Sequence, residues 1–376
     1  MSSLQTTTEG VAAAHRQPVA GENMNTQKLL TRFAGGVVRT MAALPPSVQR
    51  WLTPSGLSPK DGQQLEPEVG VALGLLGLGG DSFENFPPPK AREIVRREAL
   101  IFAGAMIPLR SVEDRSIPRP GGEIAVRLYR DRPVEEANPT PLVVYFHGGG
   151  WVVADLETHD PFCRFLAREL GFPVLAVDYR LAPESPFPAA VNDAVAAFEW
   201  AVEQSSELGV DPARIAVAGD SAGGNLSAVV SQVTVAAGGP APAMQALIYP
   251  VTDLSTKRHS YQLFADGFFL TEAQMDWYRG HYVDDADVED PRVSPLLADD
   301  LSALPPAYVA TAGFDVLRDE GEEYARRLAE AGVPTTLRRH LGMVHGWVNA
   351  VSLGRSPRSA ADELVAALRS GLTRTR

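Results

Sequence analysis

The sequence predicts an α/β fold, in which helices flank a mostly parallel central sheet and a helical cap lies on the sheet. Three observations lead to this prediction. Apolar runs alternate with helix-like segments after residue 116, a Gly-x-Ser-x-Gly pattern follows one of these runs, and an aromatic-rich insertion interrupts the alternation. Continuous apolar runs are typical of parallel strands covered on both faces, so the alternation favours a doubly wound sheet.

The chain divides into five predicted parts. Residues 1–25 are a polar, flexible tail, and residues 26–115 form short, proline-punctuated helices that supply the N-terminal part of the cap. Residues 116–250 and 291–376 form the α/β domain that carries the candidate chemistry. Residues 251–290 are too long for an ordinary crossover and form the second part of the cap.

The predicted strands and helices follow from apolar patterns and from residues that end helices. One helix is expected to begin with Asp160 as N-cap and Pro161 at its first position, and the helix EEYARRLAEAG is expected to close on Gly332. The predicted strands are EIAVRLY, PLVVYFH, FPVLAVDY, RIAVAGD, MQALIYP, AYVATAGFD and TTLRRHL.

Charge and cysteine content argue against several classes of partner. The chain has 34 basic and 46 acidic residues, and its net charge of −12 repels phosphate backbones and anionic membrane surfaces. We therefore expect neither nucleic acid nor a membrane as a partner. Cys163 is the only cysteine, which rules out an intrachain disulfide and a cysteine-based metal cluster, and we expect no metal or other cofactor. The N-terminus does not resemble a signal peptide, which favours a cytoplasmic location.

The segment RIAVAGDSAGGNLSAVV, residues 214–230, predicts a strand, a sharp turn and a helix. Gly219 and Gly223 would let the strand and the helix approach closely, and Ser221 between them would be strained and exposed at the helix N-terminus. The pattern alone is weak evidence, but this context is the one in which a serine acts as a nucleophile. Ser221 is the candidate nucleophile, and a serine that only caps the helix is the alternative.

A serine hydroxyl is a good nucleophile only when a base removes its proton and an acid orients that base. Among seven histidines, His345 in GMVHGW follows the last predicted strand and can reach the carboxyl edge of the sheet. AYVATAGFD places Asp315 at the end of another strand, whereas Asp319 and Glu320 begin the next helix. Ser221, Asp315 and His345 follow the chain order of α/β-hydrolases.

The segment HGGGW, residues 147–151, contains three consecutive glycines directly after an apolar strand. When a serine attacks a carbonyl group, negative charge develops on the oxygen, and each backbone N–H that donates to it contributes roughly 3 kcal/mol. We predict that Gly149, Gly150 and Ala222 supply these donors, and that side chains at the two glycines would block the substrate. A glycine-rich turn without a catalytic role is the alternative.

These motifs resemble those of the bacterial hormone-sensitive-lipase family (family IV) of carboxylesterases in the α/β-hydrolase superfamily. The resemblance runs from about residue 117 to the C-terminus, with five segments in the family's order. It implies an α/β-hydrolase fold with a cap drawn from the N-terminus and from an insertion after the sixth strand. The five segments are HGGGW, DYRLAPE at 178–184, GDSAGGNL at 219–226, DVLRDEG at 315–321 and HGW at 345–347.

The same resemblance assigns roles to individual residues. Ser221, Asp315 and His345 would be nucleophile, acid and base, and the three predicted N–H donors would form the oxyanion hole. Tyr179, Arg180 and Glu184 of DYRLAPE are expected to brace the glycine loop. The complete set expected to support the site is His147, Gly148, Asp220, Tyr179, Arg180 and Glu184.

The expected activity is hydrolysis of small-molecule esters with short or medium acyl chains, through a transient acyl-enzyme and without a cofactor. Aromatic residues of the cap insertion, with Trp151 of the glycine motif, are the candidate walls of the substrate pocket. Because relatives often pair through the last strand and nearby helices, a homodimer is also expected. The four candidate wall residues of the insertion are Phe264, Phe268, Phe269 and Trp277.

Two other functions fit the same residues. Some relatives are hormone receptors that keep the pocket and have lost the catalytic base, but the retention of His345 argues against a pure binding protein. An amidase or a transacylase would use the same three residues and differs only in leaving-group contacts and water access. A lipase that acts on emulsified fat is disfavoured, because the sequence shows no extended apolar lid.

Overall fold

The computed structural model describes residues 35–57, 59–77, 82–135 and 138–373, and the predicted tail, residues 1–25, lies outside the described residues. Eight strands form one sheet in the order β1-β2-β4-β3-β5-β6-β7-β8. The bounds are β1 (Ser111–Arg119), β2 (Gly122–Arg130), β3 (Thr140–Phe146), β4 (Val174–Asp178), β5 (Val210–Asp220), β6 (Gln245–Ile248), β7 (Ala307–Phe314) and β8 (Thr335–Val344).

The sheet is mostly parallel, which confirms the predicted fold class. Only β2 runs antiparallel to its two neighbours, β1 and β4, and the other adjacent pairs are parallel. All eight residues of β7 are buried, as are Leu142 to Phe146 of β3, because helices cover both faces of the sheet. The carboxyl ends of β3, β5, β7 and β8 therefore meet at one edge.

The helices alternate with the strands after β3, and several more precede β1. On the sheet, α6 packs against α8, and α5 packs against α12. No helix of the described residues is both long and apolar enough to cross a membrane. The helices are α1 (residues 35–42), α2 (Pro46–Leu52), α3 (Pro67–Leu76), α4 (Pro88–Phe102), α5 (Leu156–Leu170), α6 (Ala189–Glu203), α7 (Ser205–Leu208), α8 (Ala222–Ala236), α9 (His259–Phe264), α10 (Glu272–Tyr282), α11 (Arg318–Glu330) and α12 (Arg355–Thr373).

Strand β1 begins inside the segment that was predicted to be helical. Its sequence, SVEDRSIPR, is mostly polar, so no apolar pattern indicates a strand. Ile117 is the buried residue of β1 and lies opposite Ile124 of β2, and Asp114 accepts a hydrogen bond from Arg127 at 2.5 Å. Backbone pairing with β2 and this cross-strand ion pair form the strand, and neither is visible in a local pattern.

Helix α5 begins earlier than predicted, because Asp155 rather than Asp160 is its N-cap. The Asp155 carboxylate accepts the Thr158 N–H at 2.9 Å, and the Thr158 hydroxyl accepts the Asp155 N–H at 3.0 Å. This reciprocal capping box satisfies two N–H groups at once, so Pro161 falls inside the helix instead of at its start. The predicted end of α11 agrees better, since Gly332 has a φ of 85° just beyond the helix.

The N-terminal helices and the insertion between β6 and β7 contact each other. Helices α2, α3 and α4 each begin with a proline at the first helical position, which explains the prolines that punctuate this region. The Phe83 ring lies 5.7 Å from Trp277 and 5.5 Å from Tyr278 of α10, and Gln274 donates to the Ser82 hydroxyl at 3.1 Å. Both segments predicted as cap thus contain helices, and the two segments pack together.

Candidate active site

Ser221 lies at the turn where β5 passes into α8. Its backbone has φ 56° and ψ −118°, a conformation that is strained for a residue with a side chain. The Ser221 N–H donates to the Ile248 carbonyl at 2.9 Å, which fixes the turn against β6. Glycine is required at positions 219 and 223, because a Cβ at Gly219 or Gly223 would overlap the Phe146 carbonyl oxygen. The close approach of strand and helix therefore holds Ser221 at the edge of the sheet.

Asp315 and His345 directly follow the neighbouring parallel strands β7 and β8. The His345 Nδ1 lies 2.8 Å from the Asp315 Oδ2, and the other carboxylate oxygen accepts the Leu317 N–H at 3.0 Å. Both side chains are buried. A proton on Nδ1 satisfies the carboxylate and leaves Nε2 free to accept another proton, so this pair can act as an oriented base.

Ser221 and His345 line the same cavity, of about 340 Å³, at the carboxyl edge of the sheet. Within the described part of the chain, no hydrogen bond joins the serine hydroxyl to the imidazole. Such bonds often become short only when a substrate is bound. The two groups thus share one reaction space, and a carbonyl carbon placed there can be reached by both.

The glycine loop after β3 lines this cavity through Gly149 and Gly150. In the described structure, the N–H groups of Gly149, Gly150 and Ala222 donate to no other residue. The two glycines have φ values of 105° and 56°. A Cβ at Gly149 would overlap the Val153 carbonyl, and one at Gly150 would overlap the Tyr278 ring. The loop backbone and its contact with α10 therefore require these glycines. That side chains here would also block the substrate stays a prediction, since both glycines line the cavity.

Asp220, directly before Ser221, anchors the glycine loop. Its carboxylate accepts the Gly148 N–H at 3.0 Å and the Tyr145 hydroxyl at 2.7 Å. The His159 Nε2 lies 3.2 Å from the same oxygen. Burial alone would raise the pKa of Asp220, but His159 and the hydrogen bond from Tyr145 hold it below its ordinary value. A charged Asp220 therefore ties the loop to the strand that carries the serine.

His147 and Tyr179 support the same loop from its start. The Tyr179 hydroxyl donates to the His147 carbonyl at 2.8 Å, and the two rings stack with centroids 4.3 Å apart. The His147 Nδ1 lies 2.7 Å from the Gly148 carbonyl. Burial lowers the pKa of His147 to about 4, so the ring is neutral near pH 7.

Arg180 does not brace the glycine loop, and that prediction was wrong. Its guanidinium pairs with Asp193 of α6 at 2.7 and 2.8 Å, because a buried carboxylate needs a cation beside it. Glu184 acts on the loop only through Arg92 of α4, which the sequence did not indicate. Arg92 donates to Glu184 at 2.6 Å and to the Val152 carbonyl at 2.8 Å. The N-terminal helices thus help to hold the loop.

Of the aromatic residues predicted as pocket walls, only Phe269 lines the cavity. Trp151 is fully buried and stacks on Tyr282 with ring centroids 4.2 Å apart. Trp277 packs edge-on against Phe83. Their rings hold the insertion to the rest of the protein and do not face the cavity.

Phe264 and Phe268 were also predicted as walls, and they too lie outside the cavity. Their ring centroids lie 5.5 and 5.2 Å from that of Phe314 at the end of β7. Both are buried. An aromatic side chain in a cap can pack against the sheet or face the substrate, and composition alone does not distinguish the two.

Much of the wall comes instead from α3, α4 and α10. The apolar segment PEVGVALGLL of α3 indicates burial but not which cavity it faces. A second, apolar cavity of about 70 Å³, called here the apolar arm, shares His345 with the first and is lined by residues of α1 and α12. Among the described residues, no group of three His, Cys, Asp or Glu side chains could hold a metal ion. The wall residues from the three helices include Leu73, Leu76, Val95, Glu98, Phe102, Gln274 and Tyr278.

The chain matches a family with the α/β-hydrolase fold over residues 143–349. It is 43% identical over 365 residues to the carboxylic ester hydrolase LipN of Mycobacterium tuberculosis, an alignment that covers 93% of this chain and 96% of LipN. It is 37% identical to an ethyl acetate hydrolase of Pseudomonas putida, over 77% of this chain and 93% of that protein. The similarity therefore extends well beyond the motifs.

Solved structures give the same result. A hyperthermophilic esterase of the archaeon Pyrobaculum calidifontis superposes with a TM-score of 0.78 at 40% identity, covering 82% of this chain and 98% of that one. An ester hydrolase from the metagenome of Lake Arreo, solved with a bipyridine phosphonate derivative, has a TM-score of 0.78 at 42% identity, covering 82% and 99%. Both fold and sequence are thus shared with ester hydrolases.

Proposed function

The chain belongs to the α/β-hydrolase family and is a carboxylesterase of the hormone-sensitive-lipase type, and from this premise we propose that Ser221, His345 and Asp315 are its nucleophile, base and orienting acid. One observation carries the proposal. A strained serine faces the cavity that also exposes a histidine whose Nδ1 is held 2.8 Å from a buried carboxylate.

Acylation begins when the Ser221 Oγ attacks the ester carbonyl carbon and His345 Nε2 takes the hydroxyl proton. The carbonyl oxygen of the tetrahedral intermediate becomes an anion, and the N–H groups of Gly149, Gly150 and Ala222 would donate to it. The carbon–oxygen bond to the alcohol then breaks, and His345 gives its proton to the departing oxygen. Ser221 is left as an acyl ester.

Deacylation repeats these steps with water. His345 removes a proton from a water molecule, whose oxygen attacks the acyl carbon, and the bond to Ser221 breaks. The serine oxygen regains the proton, and the carboxylic acid is released. Asp315 stabilises the imidazolium that forms in each half of the cycle and remains a carboxylate. The cycle needs no metal or organic cofactor.

The cavity supports a preference for short and medium acyl chains. Its volume of about 340 Å³ lies at the lower end of the range of small-molecule sites, roughly 300–1,000 Å³. The apolar arm past His345 adds about 70 Å³. A chain of many methylenes would exceed this space, so activity should be highest on the shorter esters.

A homodimer through β8 and a cytoplasmic location complete the proposal. Leu337 and Leu341 are exposed on β8, which is an edge strand of the sheet, and a second copy would cover them. Light scattering on the purified protein tests the dimer, and a monomer mass would contradict it. The single cysteine supports a reducing compartment.

Hydrolysis of p-nitrophenyl esters from acetate to palmitate by wild-type protein and Ser221→Ala tests the assignment. We expect the variant to lose at least about 10⁴-fold in kcat, because no other group supplies the attacking oxygen. Ser227→Ala is the matched control, since Ser227 lies on the same helix and its hydroxyl donates to the Gly223 carbonyl at 2.8 Å. It should keep wild-type activity.

Two outcomes would contradict the proposal. Full activity of Ser221→Ala would mean that another residue attacks the ester. Slow ester turnover with rapid turnover of the matching amide would favour the amidase alternative.

A further inference from the structure

The cavity that contains Ser221 carries negative charge on its walls. Glu98 of α4 and Asp266 of the insertion both line it, in addition to Asp220. No lysine or arginine is among the described residues of the lining. Asp266 is exposed, so solvent screens its charge, whereas Glu98 is half-buried, so its charge is screened less.

Glu98 has no partner in the described part of the chain. No ion pair and no hydrogen bond reaches its carboxylate there, although Arg97, its neighbour in sequence, lowers its pKa by charge. Burial outweighs this effect and, with the nearby charge of Glu84, raises the pKa of Glu98 above its ordinary value. An unpaired carboxylate at a cavity wall is costly, and a cation bound beside it would remove that cost.

Two aromatic rings accompany Glu98 in the same wall. Phe83 and Tyr278 both line the cavity, with centroids 5.5 Å apart, and the Tyr278 ring rests on the backbone of Gly150. The Tyr278 side chain is 7% exposed, and its hydroxyl has no hydrogen-bond partner among the described residues. The hydroxyl of nearby Tyr282 is sealed inside the protein, whereas that of Tyr278, a residue that lines the cavity, is not fully sealed.

We propose that Glu98, Phe83 and Tyr278 form a subsite for an ammonium group carried by the ester substrate. The proposal rests on the ester hydrolysis described above and specifies which esters are preferred. A carboxylate attracts the charge, the faces of the two rings interact with it through their quadrupoles, and the free hydroxyl accepts a hydrogen bond from an N–H where one is present. The apolar arm past His345 remains available for the uncharged half of the substrate.

The test compares esters that differ only in charge. Choline butyrate is paired with the ester in which carbon replaces the ammonium nitrogen, which places the cation in the alcohol half. The ethyl ester of a trimethylammonio-substituted butyrate, with its carbon isostere, places the cation in the acyl half. We define the charge ratio as kcat/KM of a cationic ester divided by kcat/KM of its neutral isostere. For the pair of esters whose cation occupies the subsite, we expect this ratio to be roughly five- to tenfold lower in Glu98→Gln than in wild type.

Two further variants keep the test specific. Glu93→Gln removes a carboxylate from the same helix, but Glu93 is exposed and pairs with Lys90, so the ratio should equal that of wild type. Tyr278→Phe keeps the ring and removes the hydroxyl, so it should leave the ratio for quaternary ammonium esters largely intact and lower it for primary ammonium esters. Thermal unfolding shows that each variant is folded.

The outcomes separate this inference from the proposed function. One outcome would overturn the ammonium subsite alone. The protein hydrolyses the neutral isosteres, but Glu98→Gln leaves the cationic-to-neutral ratio of kcat/KM unchanged for both the alcohol and the acyl pair of esters. Failure of wild-type protein to hydrolyse even the neutral esters would overturn the proposed catalytic roles. A ratio that falls in Glu98→Gln and with added salt, but not in Glu93→Gln, supports the subsite.

Discussion

The carboxyl edge of the sheet and the walls of the cavity meet at one site but are built in different ways. At the edge, Ser221, Asp315 and His345 each directly follow the last residue of a strand, so the end of that strand sets their position. The walls combine α3 and α4 with α10, and residues 103–271 separate α4 from α10 in sequence. Chemistry is therefore specified locally in this molecule, whereas selectivity depends on contacts between distant segments.

Among the variants that test this comparison, the largest expected effect comes where the two regions touch. Gly150→Ala would place a methyl group in the Tyr278 ring at a φ of 56°, which displaces the loop and its N–H groups. We expect kcat/KM to fall about 100-fold or more, the effect of losing one oxyanion donor. Steady-state kinetics on p-nitrophenyl butyrate measures this.

A second substitution should partly rescue Gly150→Ala, and a third serves as its control. Gly150→Ala combined with Tyr278→Ala should recover part of the activity, because the clash is removed and only the backbone strain remains. Gly280→Ala on α10 adds a methyl group that meets nothing within 4 Å, so activity should be unchanged. Equal losses in the single and double variants would show that loop strain alone requires Gly150.

At the edge of the sheet, the neutral His147 ring should make stability fall in acid. Its pKa of about 4 lies below the ordinary value of about 6.5, so the unfolded chain binds the proton first as pH falls. Stability is full above pH 6.5 and is lost between that value and pH 4. Between pH 8 and pH 5 we expect wild-type protein to lose about 2 kcal/mol more than His147→Gln, measured by urea unfolding.

Asp178 has the opposite effect on the pH dependence of stability, and it does so equally in wild-type protein and in His147→Gln. Burial raises its pKa to about 6, so its unfavourable charge is relieved as pH falls through that value, and the effect cancels between wild type and variant. Identical slopes for wild type and His147→Gln would contradict a buried neutral ring.

In the walls, Leu76→Trp should reduce the space of both the cavity and the apolar arm, since Leu76 lines both. We expect the octanoate-to-butyrate ratio of kcat/KM to fall roughly tenfold. Trp277→Leu should leave the ratio unchanged, because Trp277 packs on Phe83 outside the cavity. A change of the octanoate-to-butyrate ratio in Trp277→Leu but not in Leu76→Trp would support the sequence-based prediction that Trp277 is a wall of the substrate pocket.

Cys163 belongs to neither region and should show the smallest effect. It is fully buried in α5, and burial raises the pKa of its thiol, so the reactive thiolate is scarce. Cys163→Ala should change kcat/KM by less than about twofold, as expected for a site with no contact to the reacting groups. Wild-type protein should also resist thiol reagents, and rapid inactivation by such a reagent would show that the core opens easily.

The sequence indicated seven of the eight strands and placed Ser221, Asp315 and His345 directly after strands, because each of these features carries a local pattern. Apolar runs indicated the strands, and glycines marked the two loops where backbones approach closely. Even there, the sequence did not give the full reason for glycine at position 150. This glycine also allows the contact with the Tyr278 ring, which is far away in sequence.

The errors share one physical cause. Arg180 pairs with Asp193, Phe264 and Phe268 pack on Phe314, and β1 is held by β2. In each case a charged, aromatic or polar residue satisfies a neighbour that only the folded chain supplies. Residue type indicates the kind of contact that is needed, but it does not identify the partner.

The contact between the Tyr278 ring and Gly150 also has an evolutionary consequence. Exchange of the insertion with that of a relative replaces position 278 while it leaves position 150 in the α/β domain. Chimeras that carry a smaller residue at 278 would leave a gap above the loop, and those with a bulkier one would press on it. Libraries built by recombination should therefore inherit these two positions as a pair, even though they lie on different segments.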